Sequence, residues 1–276
     1  MIHIPVAVPN KAFKWQISLF EFAMRWVYGE KAMSKALIAI CDRNDHNKVW
    51  KNVDWNIGLP YKLVPGIHKA LRDIDRHNYF SAGNVFFALR DILPTLLDDD
   101  IVCLQDADII PLRPYDGPIP QENQIFTCNR YEDWHMLSTK PSKKNFDVIE
   151  PHLKHDDYRY MEGGFVPIIA RVSTFKKIID DVISTTIKIV REQQDNERGW
   201  WCQMYAFNTA VHNHKLEEIC LDLTYFPGLG GWRGDYAFAH YSCDPKFKKS
   251  DFPRINYKAF PDNDGFYSLV LEWLYR

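Results

Sequence analysis

Two aspartates one residue apart, Asp106 and Asp108, close the apolar run IVCLQ and are followed at once by a second apolar run, IIPL, and by Arg113-Pro114. Alternate residues of an extended segment project to the same side, so both carboxylates can be aimed at one point. Left alone there they repel. A hard divalent cation such as manganese or magnesium resolves the conflict, because it takes oxygen ligands and keeps positions open for phosphate oxygens. The other reading is a solvated acidic turn, since DDDIVCLQDAD holds several acids. The apolar flanks on both sides weigh against it.

The elements that must position this pair follow from hydrophobic periodicity. IHIPVAVP reads as a first strand ended by Pro9 and Asn10. FKWQISLFEFAMRWVYG reads as a helix with Trp15, Leu19, Phe22, Ala23, Trp26 and Val27 on its apolar face. KALIAICDRN is strand-like to Asp42, and YKLVPG is a shorter strand candidate. AGNVFFALRDILPTLL is helical after Ser81 as N-cap, with Val85, Leu89, Ile92, Leu93 and Leu96 along one face. The strand holding Ile101 to Leu104 comes next and ends at the aspartates. Later come strands in NQIFTCN, YRYMEGGFVPIIA, EEICLDL and YAFAHYSC, and helices in VSTFKKIIDDVISTTIKIVRE and WWCQMYAFNTAVHNH. The first of these helices carries Val172, Phe175, Ile178, Ile179, Val182, Ile183, Thr186, Ile189 and Val190 at helical spacing. Alternating strands and helices early, with a mixed later half, imply an α/β sheet layered between helices. Such sheets bind ligands where strands end at the carboxyl edge, which is where the two aspartates fall.

Composition bounds the function. The 276 residues are 46% hydrophobic and 14% aromatic, enough for one large domain with its own core. With 34 Lys+Arg against 36 Asp+Glu and no long block of one sign, the chain lacks the basic character of a nucleic-acid binder. No window approaches the roughly 20 apolar residues of a membrane span, and MIHIPVAVPN does not have the form of a signal peptide. Six cysteines without paired spacing, two of them (Cys41 and Cys103) inside apolar strand-like runs, read as buried thiols in a reducing compartment. A soluble, cytoplasmic protein is expected.

LQDADIIPLRP resembles the metal-binding signature of GT-A nucleotide-sugar glycosyltransferases. With Arg113-Pro114 behind it, the stretch is similar to the hydroxyproline arabinosyltransferase and peptidyl-serine galactosyltransferase group, and to small soluble glycosyltransferases of large algal viruses. A bare Asp-x-Asp is common by chance, and three further stretches in the family's order strengthen it. FAHYSCDPK is similar to the late strand whose histidine completes the metal site, with a lysine six residues on that contacts the diphosphate, which implies His240 as third ligand and Lys246 on the phosphates. The alternatives are a half-buried strand histidine and an ordinary basic patch with Lys248 and Lys249. MEGGFVPIIA resembles the glycine turn against the donor sugar, which implies that Gly163 and Gly164 allow close backbone approach. Glu162 would then touch sugar hydroxyls or accept the acceptor's proton, unless it is an exposed residue of a plain turn. ERGWWCQMYAFN is similar to the helix start facing donor and acceptor, which implies Gln203 at the sugar. An inverting enzyme often has an acid there, and Glu197 is poorly aligned, so this departure leaves retention or inversion open. Trp200 and Trp201 offer a platform for a sugar ring, although one of them suits the core better. The ends of the first two strands, at Val8, Pro9 and Asp42, would cradle base and ribose.

What the resemblance implies is a GT-A (Rossmann-like) fold: a mixed, mainly parallel central sheet flanked by helices in a single domain. A nucleotide-binding half spans about residues 1–115, an acceptor-side half about 116–248 and a helical tail about 249–276. It implies a metal-dependent glycosyltransferase using Mn2+ or Mg2+, with a UDP-linked nucleoside diphosphate sugar as donor and a glycan or glycoprotein hydroxyl as acceptor. For a viral enzyme the cytoplasm is the host's. Glycine-rich FPGLGGWRGDYAF, residues 226 to 238, is either a closing loop or a plain connection. FYSLVLEWLYR places Phe266, Leu269, Val270, Trp273 and Leu274 on one helical face, which suits packing within the monomer better than a homodimer contact. Competing readings are a phosphatase of the haloacid dehalogenase type, a sugar-phosphate nucleotidyltransferase, and a non-catalytic carbohydrate-binding protein that stacks sugars on some of the nine tryptophans. The first normally carries its Asp-x-Asp on the first strand, the second needs a glycine-rich, basic triphosphate loop near the amino terminus, and the third fits the order of elements less well.

Overall fold

In a computed structural model of the protein, the described residues are 1–8, 11–42, 44–45, 48–49, 55–66, 84–128, 149–155, 166–192, 202–227, 234–241 and 265–275. The strands are β1 (Ile2–Ala7), β2 (Ile38–Asp42), β3 (Asn44–Asp45), β4 (Lys48–Val49), β5 (Tyr61–Pro65), β6 (Ile101–Asp106), β7 (Ile109–Pro111), β8 (Gln124–Thr127), β9 (Ile168–Arg171), β10 (Glu217–Cys220), β11 (Thr224–Tyr225) and β12 (Phe238–His240). The helices are α1 (Lys11–Tyr28), α2 (Asn84–Ile92), α3 (Val172–Glu192), α4 (Cys202–Asn213) and α5 (Gly265–Leu274).

Seven strands form the central sheet in the order β10-β8-β9-β6-β1-β2-β5. β5, β2, β1 and β6 run parallel, β9 runs antiparallel to β6 and β8, and β8 and β10 are again parallel. The register puts Val6 opposite both Ala39 and Asp106, so the carboxyl ends of β1, β2 and β6 open on one edge. β1 and β6 are central and covered on both faces, which is why IHIPVA and IVCLQD are near-continuous buried runs rather than alternating ones. A small second sheet, β11-β12-β7, stands beyond that edge, and β3 and β4 pair as a hairpin.

Strand pleating divides the core. Ile4, Val6, Val8, Ala39 and Cys41 belong to a cluster shared with α2, α3 and α4, whereas the intervening Ala7, Ile38 and Ile40 belong to a second cluster with α1 and α5. The α3 positions at helical spacing are all buried. Thr186, the polar member of that face, donates its hydroxyl to the Val182 carbonyl at 2.7 Å, so its burial leaves no unpaired donor. α2 is buried almost all round, because the sheet lies on one side and α3 and α4 on the other, with Phe86 stacked on Phe207 at 5.4 Å between ring centroids. Ser81, expected as its N-cap, lies outside the described residues.

α1 forms where expected but with its face rotated. The stripe that reaches the core runs through Ile17, Phe20 and Met24 with Leu19 and Ala23, while Trp26 is 55% exposed and Phe22 packs against it at 6.0 Å. Trp26 lies at the surface beside Phe22, which is itself partly buried against the core cluster. α5 docks within the chain as expected: Phe266, Leu269 and Val270 are buried in the α1 cluster, and Trp273 Nε1 lies 3.4 Å from Ser18 Oγ. No helix among the described residues is long and apolar enough to cross a membrane.

Candidate metal centre

β6 ends at Asp106, the chain turns through Ala107 and Asp108, and β7 begins at Ile109. Ala107 is 1% exposed and Asp108 4%, so the turn is enclosed rather than solvated. Gln105, the residue before Asp106, spans the turn: its Nε2 donates to the Ile109 carbonyl at 2.6 Å. That bond fixes the amide oxygen as an acceptor, so the His3 Nδ1 found 3.2 Å away carries the proton. His3 Nε2 then accepts from the Tyr28 hydroxyl at 3.0 Å. Burial holds the His3 pKa down to about 4 and raises that of Tyr28 to about 12, so both are neutral near pH 7 and this donor–acceptor order holds.

The third member arrives from the other end of the sequence. β12 pairs antiparallel with β7, with His240 opposite Ile109, and the Tyr241 N–H donates to the Asp108 carbonyl at 3.2 Å. His240 Nε2 consequently lies 3.5 Å from Asp108 Oδ1, with the side chains 12% and 5% exposed. One ligand atom each from Asp106, Asp108 and His240 falls within 4.8 Å of the others, the one such cluster of metal-ligating side chains among the described residues. Arg113 fastens the two approaching segments: its Nε and one terminal nitrogen donate to the Asp235 carbonyl at 3.0 and 2.6 Å, and the other terminal nitrogen meets Asp116 Oδ1 at 2.6 Å. Behind the site Tyr241 stacks on Phe266 with centroids 5.7 Å apart, and burial first and the Asp108 charge second push the Tyr241 phenol well above its ordinary value.

One buried and one half-buried carboxylate with a half-buried imidazole form a donor set that suits a divalent cation. Oxygen ligands with one imidazole nitrogen are the set a first-row ion such as Mn2+ accepts, whereas Mg2+ prefers oxygen alone. The donors converge on the carboxyl edge of the parallel strands.

The remaining sequence candidates divide three ways. Pro9, Glu162, Gly163, Gly164 and Lys246 lie outside the described residues, as do Glu197, Trp200, Trp201 and residues 228–233 of the glycine-rich stretch. Val8 and Asp42 stand at the ends of β1 and β2 on the same edge as Asp106. The Val8 side chain is 2% exposed within the core, so its main chain is what it presents to the edge. Gln203, the second residue of α4, is 4% exposed, and its Oε1 makes no hydrogen bond among the described residues. Gln105, His3 and Tyr28 were not recognised as part of the site. Their signal was a polar residue in each of two apolar strands, since buried polar groups must find partners.

The sequence matches no family model and no curated protein. In three dimensions the chain is similar to the galactosyltransferase LgtC in complex with donor and acceptor sugar analogues, with a TM-score of 0.51 at 11% identity, over 95% of this chain and 98% of that one. It is also similar to an active-site mutant of LgtC in which a glutamine is replaced by glutamate, with a TM-score of 0.53 at 10% identity over the same shares. The fold is thus the GT-A fold of these structures, a mainly parallel sheet between helices.

Proposed function

We propose that the protein is a metal-dependent glycosyltransferase that moves a sugar from a nucleoside diphosphate sugar, of the UDP type, to a hydroxyl of a glycan or glycoprotein. The observation that carries this is the convergence of Asp106, Asp108 and His240 at the carboxyl edge of a GT-A sheet. In this reading these three side chains hold the cation, Mn2+ before Mg2+. When bound, the cation supplies Lewis-acid charge for the departing diphosphate. Residues 1–115 bind the nucleotide, with the Val8 main chain, Pro9 and Asp42 at base and ribose, and residues 116–248 face the acceptor. Lys246 adds positive charge beside the phosphates. Gly163 and Gly164 let the main chain approach the donor sugar, Glu162 takes the acceptor proton or binds sugar hydroxyls, and the buried Gln203 amide accepts a hydrogen bond from the sugar. The glutamine in the active site of LgtC supports that last role by analogy.

Screening sugar nucleotides for release of the nucleoside diphosphate, with Mn2+ or with chelator, tests the reading. Release is expected for one donor class, abolished by chelation, and Asp108→Ala removes an interaction of about 4 kcal/mol in the transition state, a loss of roughly a thousandfold. Pyrophosphate as product would instead identify a nucleotidyltransferase. Unchanged release in Asp108→Ala at saturating metal would remove the aspartates from the chemistry.

A further inference from the structure

We infer that Gln105, braced by His3 and Tyr28, is a positioning residue that sets the spacing of Asp106 and Asp108 before a cation binds. The inference rests on the metal-site reading above and assigns a role to residues that touch neither metal nor donor. Gln105 and His3 are both 0% exposed. A buried amide and imidazole add little to stability over an apolar pair of the same volume, because each hydrogen bond mainly replaces one made to water. Their placement is informative. The Gln105 amide joins the residue before Asp106 to the residue after Asp108, at 2.6 Å, so the two aspartate-bearing positions are bracketed by one short bond. Ile109, which receives that bond, is also the residue opposite His240, so the same contact fixes the strand against which the third ligand is aligned.

The brace is anchored at several points. The Gln105 oxygen takes the His3 Nδ1 proton at 3.2 Å and lies 3.5 Å from Cys103 Sγ, and His3 is held from its other side by Tyr28 at 3.0 Å. Tyr28 ends α1. Through Gln105, which bonds across the turn to Ile109, the metal turn therefore ties back to the end of one helix. A turn fixed in this way holds two mutually repelling carboxylates at ligand spacing, and a cation binding there orders little further backbone.

Mn2+ binding tests this independently of transfer, as the free-ion electron paramagnetic resonance signal during titration of the protein with UDP at fixed concentration. Gln105→Met keeps chain length and removes both amide bonds. Tyr28→Phe loosens His3 and leaves Gln105 and the core volume in place. Ile169→Val, which trims β9 beside β6, is the control for lost stability alone. Gln105→Met is expected to weaken Mn2+ by on the order of tenfold or more, Tyr28→Phe by less in the same direction, and Ile169→Val not at all. If Gln105→Met does not fold, weakening in Tyr28→Phe against the unchanged control supports the inference. Wild-type affinity in both brace variants, or weakening no greater than in the control at equal loss of thermal stability, overturns it and leaves the metal site standing. A wild-type chain that takes up no Mn2+ overturns the metal-site reading and this inference with it.

Discussion

His3 makes the stability of the site depend on pH in a direction that can be worked out. Its pKa is lowered from 6.5 to about 4, chiefly by burial, with the positive charges of Lys35 and the Met1 amine adding to the effect and the bond to Gln105 opposing it. Between those values the unfolded chain takes up a proton that the folded chain refuses. The contribution is thus fully present above about pH 6.5 and is lost progressively as pH falls toward 4. A gap of about 2.5 pH units at ~1.4 kcal/mol each amounts to about 3.5 kcal/mol, of which about 2.5 kcal/mol is gone by pH 4.5. Carboxylates titrate in the same range, so the measurement is a comparison: urea unfolding of the wild type and of His3→Gln at pH 7, 6, 5 and 4.5. The variant is less stable at pH 7 because the brace is broken, and the difference between the two proteins shrinks by about 2.5 kcal/mol at pH 4.5. A difference that stays constant across the series refutes a neutral, buried His3 and with it the donor–acceptor order through Gln105.

Phe266→Ala removes a fully buried ring stacked on Tyr241 and is expected to cost about 3–5 kcal/mol; thermal unfolding checks it, and a loss below about 1 kcal/mol would mean that α5 is not part of the core. Because Tyr241 follows His240 directly, the same variant should bind Mn2+ more weakly in the titration above. Gln203→Ala is expected to lower the transfer rate at saturating donor by roughly tenfold to a hundredfold, the size of one lost hydrogen bond in an enclosed site, with unchanged Mn2+ affinity; an unaltered rate would remove Gln203 from the sugar site.

The parts of the fold legible in the sequence were those set by local pattern. α3 shows its buried face residue by residue, and β1 and β6 show as apolar runs because parallel strands between helices are covered on both sides. The α1 face was misjudged because counting apolar residues weights Trp26 as core, whereas an indole can lie at the surface against Phe22. What no local pattern carries is pairing between distant segments. The antiparallel insertion of β9 between β6 and β8, and the meeting of β7 with β12, depend on contacts across tens to more than a hundred residues. His240 was therefore placed beside Asp106 and Asp108 by resemblance, and the physical cause is the short β7–β12 ladder that the periodicity of FAH and IIP cannot announce. Gln105 escaped notice for a related reason: in isolation it is a polar interruption of a strand, and it acquires meaning when His3 of the neighbouring strand is seen to point at it.

The central claim is that Asp106, Asp108 and His240 jointly bind a divalent cation that faces the diphosphate of a sugar nucleotide. Crystals grown with MnCl2 and UDP, with diffraction recorded at the manganese absorption edge, test it most directly. The account predicts one anomalous peak bonded to carboxylate oxygens of the aspartates and to the His240 imidazole, with diphosphate oxygens completing the shell and the uracil toward the ends of β1 and β2. Manganese bound elsewhere, or UDP bound with no metal at these three residues, contradicts it.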